Sequence, residues 1–568
     1  MSLAGWRRFL PILDWLPCYP KGGLRCDLIA GLTTSAVVIP QAMAYASIAG
    51  LPIEAGIYAA IVPAMIYAVL GTSRPLSVST TSTIAILSAT ELAAVAPNGS
   101  PEQLMAASAT LSLLIGIMLV LAGILRLGFV ANFLSDPVLT GFKAGVGLVI
   151  IVGQLPKMLG VHLQDEGFFR KLFTIPRHLP ETSLPTLVLA LAVLLLALGL
   201  KRFTPRAPAP LLALAAAIAA SALLGLQGMG VALVGHIPSG LPRLVLPHLS
   251  LAWQEWPGAA GIALMSFVET VAVGRSFAVK GEPRPEANQE LLALGVAGVA
   301  GSFFRAMPAG GGTSQTAVNR KAGALSQVAS LVTAAIAIAA MLFLAPVIAL
   351  MPQAALAAVV VVATAGLLDP SDFNAIRRIH VDEFWWAVVT TAGVLLLGTL
   401  DGVLIAVMVS LLTLIYHANH PPVYALGRKP GTNVFRPLSP RHSEDEVLPG
   451  LLLLRTEGRV YFGNARRIGD KMSVIIREAN PQVLVLDCSA VPDIEFTALK
   501  MLIEMEENLR EEGTTLWLAA LNPGVLEIIR RSRLGDILTR ERLFFDLELA
   551  HEAYRASRQG TTFSTTAK

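Results

Sequence analysis

Residues Pro308 to Asn319 read Pro-Ala-Gly-Gly-Gly-Thr-Ser-Gln-Thr-Ala-Val-Asn, a polar, glycine-rich break flanked by long apolar runs. In hydrocarbon every backbone N–H and C=O needs an internal partner, so irregular backbone persists at membrane depth only where it lines a cavity or is buried in protein. Gly310, Gly311 and Gly312 let the chain turn and approach a ligand closely, and Thr313, Ser314, Gln315 and Thr316 then offer hydroxyls and an amide as a helix starts. A helix start carries partial positive charge and unpaired N–H donors, a combination that favours anions. The bland alternative is a surface loop between two membrane helices. The uncharged stretch that follows weighs against it, and so does a partner break near residue 75.

That partner is Gly71-Thr-Ser-Arg-Pro75 followed by Leu-Ser-Val-Ser-Thr-Thr-Ser-Thr83, with six hydroxyls in the seven positions 77–83. Two interrupted segments, one in each half of the apolar region, point to a transporter built from inverted repeats with its site at the midplane. The two helix starts are expected to face each other across that site.

Composition agrees with the class. Over 568 residues the chain is 54% hydrophobic and 14% charged, with a mean hydropathy of +0.64, which marks a polytopic membrane protein. Of its 82 Lys, Arg, Asp and Glu residues, 40 follow Gly427, as 20 basic and 20 acidic, so the tail is a soluble domain and the net charge of +4 belongs to the membrane part. That excess follows the positive-inside pattern and implies no nucleic-acid partner. Cys18, Cys26 and Cys488 have neither metal-ligand spacing nor a disulfide framework, so reduced thiols facing the cytoplasm are expected, with no metal and no cofactor. Arg7 and Arg8 are followed by no small-residue cleavage site, and no removable signal peptide is expected.

Five segments are predicted: a cytoplasmic lead-in at 1–27, a transport domain at 28–418, a linker at 419–448, a cytoplasmic α/β domain at 449–560 and a flexible tail at 561–568. The first span covers 28–53, interrupted around Pro40, with Gln41 and Tyr45 one helical turn apart on one face. Such a pair serves either to glue helices together or to touch a ligand. Further spans bring the total to about fourteen, in two sets of seven, with 383–417 folding back around Asp401-Gly402 as the last pair. With the N-terminus inside, Arg126, Lys201, Arg202, Arg206, Arg275, Lys280, Arg284, Arg377 and Arg378 fall on cytoplasmic connections. The connection 228–257, predicted outside, has Arg243 alone. The connection 161–185, also outside, is a mild exception with Arg170, Lys171 and Arg177.

Glu269 stands in the first span of the second half, the repeat counterpart of the span that holds Gln41. A carboxylate near the bilayer centre costs about 2.5–3.5 kcal/mol on insertion scales, so it faces a pathway and is a candidate proton carrier. The alternative is a structural Glu held by Ser266 or Thr270. After Gly427 the pattern changes to strands at 451–456, 459–462, 483–487 and 515–518 alternating with helices at 466–479, 495–512 and 523–533, a small α/β domain with a largely parallel sheet.

Several ordered motifs together resemble the SulP anion transporters: Pro40-Gln-Ala-Met-Ala-Tyr-Ala, Ala49-Gly-Leu-Pro52, Gly71-Thr-Ser-Arg74, Glu269-Thr-Val-Ala-Val-Gly-Arg-Ser-Phe277, Asn288-Gln-Glu-Leu and Ser314-Gln-Thr-Ala-Val-Asn319. The tail resembles their STAS domain. The resemblance implies a seven-plus-seven inverted repeat divided into core and gate domains, in the cell (inner) membrane, dimeric, with both termini cytoplasmic and a STAS domain able to bind a cytoplasmic partner. It also implies an anion held between the third and tenth spans, and on this chain the site takes Gln41, Tyr45, Thr80, Thr81, Glu269 and Thr313 to Thr316. Many relatives carry Arg where Gln315 stands, which shifts anion affinity toward helix dipoles and protonation of Glu269. Proton-coupled symport by an elevator-like movement is therefore expected, with sodium as the other candidate ion. Where related phosphorylated STAS domains carry Ser or Thr, this chain has Phe496, which cannot be phosphorylated; Thr497 and Ser489 stay open as sites. A nucleobase-type carrier of the same architecture and an uncoupled channel or exchanger are the other classes. No phosphate-binding loop, zinc-type His-Glu pair or nucleophile motif points to an enzyme.

Overall fold

The computed structural model describes residues 10–558, except 18, 21, 98, 133–134, 162, 164–166, 205–207, 236–239, 243 and 280–281. Arg7, Arg8, Cys18, Arg206, Arg243, Lys280 and the tail 561–568 lie outside the described residues. The chain forms two compact bodies, Met1–Leu411 and Leu412–Lys568.

The expected two sets of seven helical segments start in the first body, and the last runs on past Leu411. The first set is α1 (Gly23–Ile48), α2 (Ile53–Leu70), α3 (Ser82–Val95), α4 (Pro101–Ile124), α5 (Asp136–Leu159), α6 (Leu184–Phe203) and α7 (Ala209–Leu224). The second is α8 (Ala252–Ser276), α9 (Ala287–Phe303), α10 (Thr313–Lys321), α11 (Val328–Ile348), α12 (Gln353–Thr364), α13 (Val381–Leu397) and α14 (Thr399–Asn419). The third and tenth each follow a two-residue strand, β1 (Val78–Ser79) and β2 (Gly310–Gly311).

Helix packing sorts these segments into two clusters. Helices α1–α4 pack chiefly with α8–α11, whereas α5 packs with α12 and α13, and α6 with α7 and α12. In lipid the apolar effect does not hold helices together, so close backbone approach through small residues does. The α4–α9 crossing shows it: a Cβ on Gly116 would lie 2.5 Å from the Val299 nitrogen, and one on Gly295 2.6 Å from the Val120 nitrogen.

Three expectations are corrected here. Helix α1 runs unbroken through Pro40, because a membrane helix packed among neighbours tolerates the missing N–H. It also begins before residue 28 and buries Asp27, which accepts from Tyr19 Oη (2.7 Å), Leu325 N (2.7 Å) and Ser326 Oγ (2.6 Å). The carboxylate is thus a buried clasp on the chain just before α11. The final turn lies at Gly398, at φ +104°, while Asp401 and Gly402 sit inside α14. Only glycine adopts that backbone without penalty, so it ends α13.

The second body is an α/β domain with a six-stranded sheet in the order β4-β3-β5-β6-β7-β8, from β3 (Val423–Arg428), β4 (Phe435–Pro437), β5 (Leu451–Thr456), β6 (Val483–Asp487), β7 (Thr515–Ala519) and β8 (Leu543–Phe544). Strands β5 to β8 are parallel, and β3 and β4 join antiparallel. Two strands therefore lie in the segment expected to be a linker, where Pro, Gly and charged residues mask an edge hairpin. The strand expected at 459–462 is a single bridge from Val460 to Ile494. The helix expected over 523–533 stops at Arg530. Alternation along β5 explains the layers: Leu452 and Leu454 join one core with Ile468 and Leu502, while Leu451 and Leu453 join the other with Ala550 and Tyr554. Cys488 is buried beside Asp487, and burial pushes its thiol up to about 12, out of reach of thiolate chemistry.

His551, in the helix Leu547–Arg558, is buried with neither ring nitrogen bonded. Burial holds its imidazole below the usual range, with Arg428 and Arg555 adding to the shift and Glu446 and Glu552 opposing it. The folded domain thus binds fewer protons than the unfolded chain, so stability is lost as pH falls through the ordinary histidine range near 6.5. Hydrogen-exchange protection of that helix in the whole protein is expected to drop between pH 7.5 and 5, and His551→Phe to flatten the drop.

Candidate functional site

The two interrupted segments meet. Strands β1 and β2 pair antiparallel, Val78 opposite Gly311 and Ser79 opposite Gly310. Gly312 N donates to Ser77 O (3.0 Å), Ser77 N to Thr316 Oγ1 (3.1 Å) and Ser79 Oγ to Gln315 Oε1 (2.7 Å). Because the strands run oppositely, α3 and α10 leave this ladder in opposite directions, each with its N-terminal end at the junction. The macrodipoles therefore point their positive ends at one place.

The glycines of the second break pack against neighbouring helices. A Cβ on Gly310 would lie 2.7 Å from Ile84 Cδ1 and 3.0 Å from Ser266 Oγ, and one on Gly311 3.0 Å from Thr270 Cα. The glycines thus allow close approach to α8 and α3. Helix α8 fixes the break through its hydroxyls: Ser266 Oγ donates to Ala309 O (2.8 Å) and Gly311 N donates to Thr270 Oγ1 (2.8 Å).

Those bonds bear on Glu269. Ser266 and Thr270, its candidate structural holders, are committed to the break, and Glu269 Oε2 instead accepts from Thr81 Oγ1 (3.1 Å). Thr81 is also the N-cap of α3, where its hydroxyl accepts from Ile84 N (3.3 Å). One hydroxyl thus ties the carboxylate to a helix start. Glu269 is buried, as are Gln41 and Tyr45 on α1. Thr80 Oγ1 and Gln41 Oε1 are buried without any hydrogen-bond partner. Leaving such a group unmet costs about 1–3 kcal/mol.

The four residues expected on α10 divide. Thr313 and Ser314 are exposed on its first turn, whose cap Gly312 supplies no side-chain acceptor for the leading N–H groups. Gln315 and Thr316 are buried and face β1, where they knit the two breaks together.

Residues not singled out from sequence complete the frame. Asn319 Nδ2 donates to Pro75 O (2.9 Å) and Gln327 Nε2 to Ser73 O (2.7 Å) and Leu76 O (2.9 Å). Glu290 accepts from Tyr67 Oη (2.8 Å) and Thr72 N (2.9 Å). The motif Asn288-Gln-Glu-Leu is thereby a clamp on the chain leading into β1. Lys143, on α5, acts electrostatically on the Glu269 carboxylate from the other helix cluster. It is an isolated charge within an apolar span, so the criterion applied to Glu269 would have found it.

Comparison with known families matches residues 24–390 to the sulfate permease family and residues 442–550 to the STAS domain. A probable sulfate transporter of Mycobacterium tuberculosis is 36% identical over 560 residues, covering 98% of this chain and 99% of that one. Sulfate transporter 3.1 of Arabidopsis thaliana is 30% identical over 588 residues, covering 97% and 88%. Among solved structures, the murine Slc26a9 anion transporter in its inward-facing state superposes with a TM-score of 0.87 at 24% identity, covering 98% and 95%. The transmembrane domain of a cyanobacterium bicarbonate transporter, BicA, superposes with a TM-score of 0.61 at 21% identity, covering 68% and 97%. These two share the fold.

Proposed function

Because this chain belongs to the sulfate permease family and ends in a STAS domain, we propose that it is a secondary active transporter of small anions, with sulfate the first candidate and bicarbonate and dicarboxylates next. The family consists of transporters, which argues against an enzyme. One observation carries the reading: two helix starts of opposite direction, laced by β1 and β2, converge beside a buried carboxylate and two orphaned polar atoms. Converging dipoles and donors attract an anion. Glu269 supplies a titratable counterweight, so one proton enters with the anion and cancels the acid's charge.

Lys143 aside, the proposed binding residues lie on or immediately beside α1, α3, α8 and α10, all within the first helix cluster. That cluster moves as a unit against α5–α7, α12 and α13, carrying the anion in an elevator-like step, in a homodimer in the cell inner membrane with both termini cytoplasmic. The STAS domain serves as a docking module. Uptake of sulfate, bicarbonate and fumarate into proteoliposomes, with proton and sodium gradients varied separately, tests this. Saturable uptake of at least one anion is expected, accelerated by an inward proton gradient; flux that does not saturate would make it a channel.

Lys143 gives a finer prediction. Hydrogen bonds to charged groups contribute about 1.5–3 kcal/mol, so Lys143→Gln is expected to raise the anion KM about tenfold with a smaller change in kcat. An unchanged KM would exclude Lys143 from the anion's surroundings.

A further inference from the structure

Helices α3 and α8 pack along a seam that is pinned at two points. At one, Thr81 Oγ1 donates to Glu269 Oε2. At the other the Glu91 carboxylate lies on Gly258, so closely that a Cβ there would stand 2.0 Å from Glu91 Oε2. From the first point to the second the chain advances from Thr81 to Glu91 on α3 and goes back from Glu269 to Gly258 on α8. The helices therefore run antiparallel, and the two points are about 15 Å apart at 1.5 Å per residue. The second lies toward the face predicted to be outside.

A second carboxylate joins Glu91 there. Glu255 stands one turn before Gly258 on the same face of α8. It is fully buried, neither of its oxygens has a hydrogen-bond partner, and Glu91, itself 5% exposed, is the charge that acts on it. The elements packed on α3 and α8 bring other titratable groups. Glu102 at the start of α4 and His248 before α8 are exposed, and Arg305 follows α9. Lys157 on α5 donates to Ser47 O, while Lys143 on α5 and Tyr45 on α1 interact with Glu269. None of these acts on Glu255. Trp253 and Trp256, exposed on the same turns of α8, mark the level of the membrane–water boundary, within reach of protons.

Two ionised carboxylates sharing a buried site repel each other, and one proton between them turns the repulsion into a hydrogen bond. Among the described residues no group of three His, Cys, Asp or Glu gathers to hold a metal ion, which favours a proton as the shared cation. We propose that Glu91 and Glu255 form a proton site at the outer end of the seam, holding one proton between them, and that its occupancy draws α3 onto α8 and so sets anion affinity at the other end. The proton passes from outside water to one carboxylate oxygen and donates to the other carboxylate; it returns to water when the pair ionises, and no other bond changes. The site stands on its own geometry, and only its effect on the anion rests on the transport reading above.

Infrared spectroscopy of the purified full-length protein counts protonated carboxyls. In a Glu269→Gln background, which removes the other acid of the seam, adding Glu91→Gln and Glu255→Gln together is expected to remove one protonated-carboxyl band at pH 7.5. Loss of none or of two would overturn the shared proton. Glu255→Gln alone, a milder change to the packing, is expected to lose the same band, because Glu91 then has no like charge beside it; a retained band would overturn the sharing as well. In proteoliposomes the Glu269→Gln protein is expected to show a KM for sulfate or fumarate that rises about tenfold as pH on both sides is raised from 5.5 to 8.5, a usual size for coupling between two sites. With both further substitutions the KM should stay flat. An equal rise in both proteins would overturn the action on the anion. A parent protein that transports neither anion would overturn that action together with the transport reading, and the infrared count would still decide the proton site.

Discussion

Glu269→Gln is expected to abolish the acceleration of anion uptake by an inward proton gradient, while uptake without a gradient persists. The substitution keeps the side chain's size and leaves an oxygen to accept from Thr81 Oγ1, so the N-cap of α3 and the packing of α8 are retained. What it removes is a group that can change charge in a buried place. If the proton arrives with the anion, the carboxyl is neutral in the loaded state and ionised in the empty one, and glutamine mimics only the first. The cost of reorienting the empty carrier with a buried charge then vanishes from the cycle, and with it the thermodynamic link between the two fluxes. Uptake in proteoliposomes at matched internal pH, with external pH stepped from 7.5 to 5.5, measures this. Acceleration that survives the substitution would remove Glu269 from coupling. Acceleration by sodium alone, in the parent protein, would name the other ion.

Gly311→Val is expected to eliminate uptake and to lower the thermal stability of the transport body. A Cβ there meets Thr270 Cα at 3.0 Å and Leu76 Cδ1 at 3.1 Å. The first is backbone of α8 and cannot rotate away. Overpacking costs about 1–3 kcal/mol, and pushing β2 off α8 also threatens the bond from Gly311 N to Thr270 Oγ1, which contributes about 1 kcal/mol. The same shift separates β2 from β1, so the two helix starts no longer converge. Gly312→Ala makes the contrast, since its new Cβ meets only the Gln315 side chain, at 2.8 Å from Oε1. That end is side chain rather than backbone, though it accepts from Ser79 Oγ, and a partial loss of uptake with a smaller loss of stability than for Gly311→Val is expected. Equal stability and equal uptake for Gly311→Val would show that the junction is not the site.

Much of this was legible in the chain because membrane physics is strict. A glycine-rich break and a hydroxyl-rich break inside apolar runs have few permitted explanations, and an isolated acid in a span has fewer. The clamp on Glu290 and the Asp27 clasp were hidden for the opposite reason: each looks like an ordinary charge near a helix end until its distant partners are known. Tyr67 and Glu290 are 223 residues apart, and Asp27 and Ser326 are 299 apart. Strands β3 and β4 were hidden because short strands interrupted by turns lack a long alternating pattern.

The amino-acid sequence by itself determined that this is a multi-pass membrane protein with two interrupted helices and a soluble α/β tail, because hydropathy, charge and breakpoints act locally and need no partner to be read. Only the tertiary structure decided that Gln315 and Thr316 face β1 while Thr313 and Ser314 are exposed, that Ser266 and Thr270 hold the break rather than Glu269, and that Lys143 acts on that acid from another helix cluster. Those are choices among equally available hydrogen-bond partners. They are settled by which backbones can approach closely, a property of the packed whole.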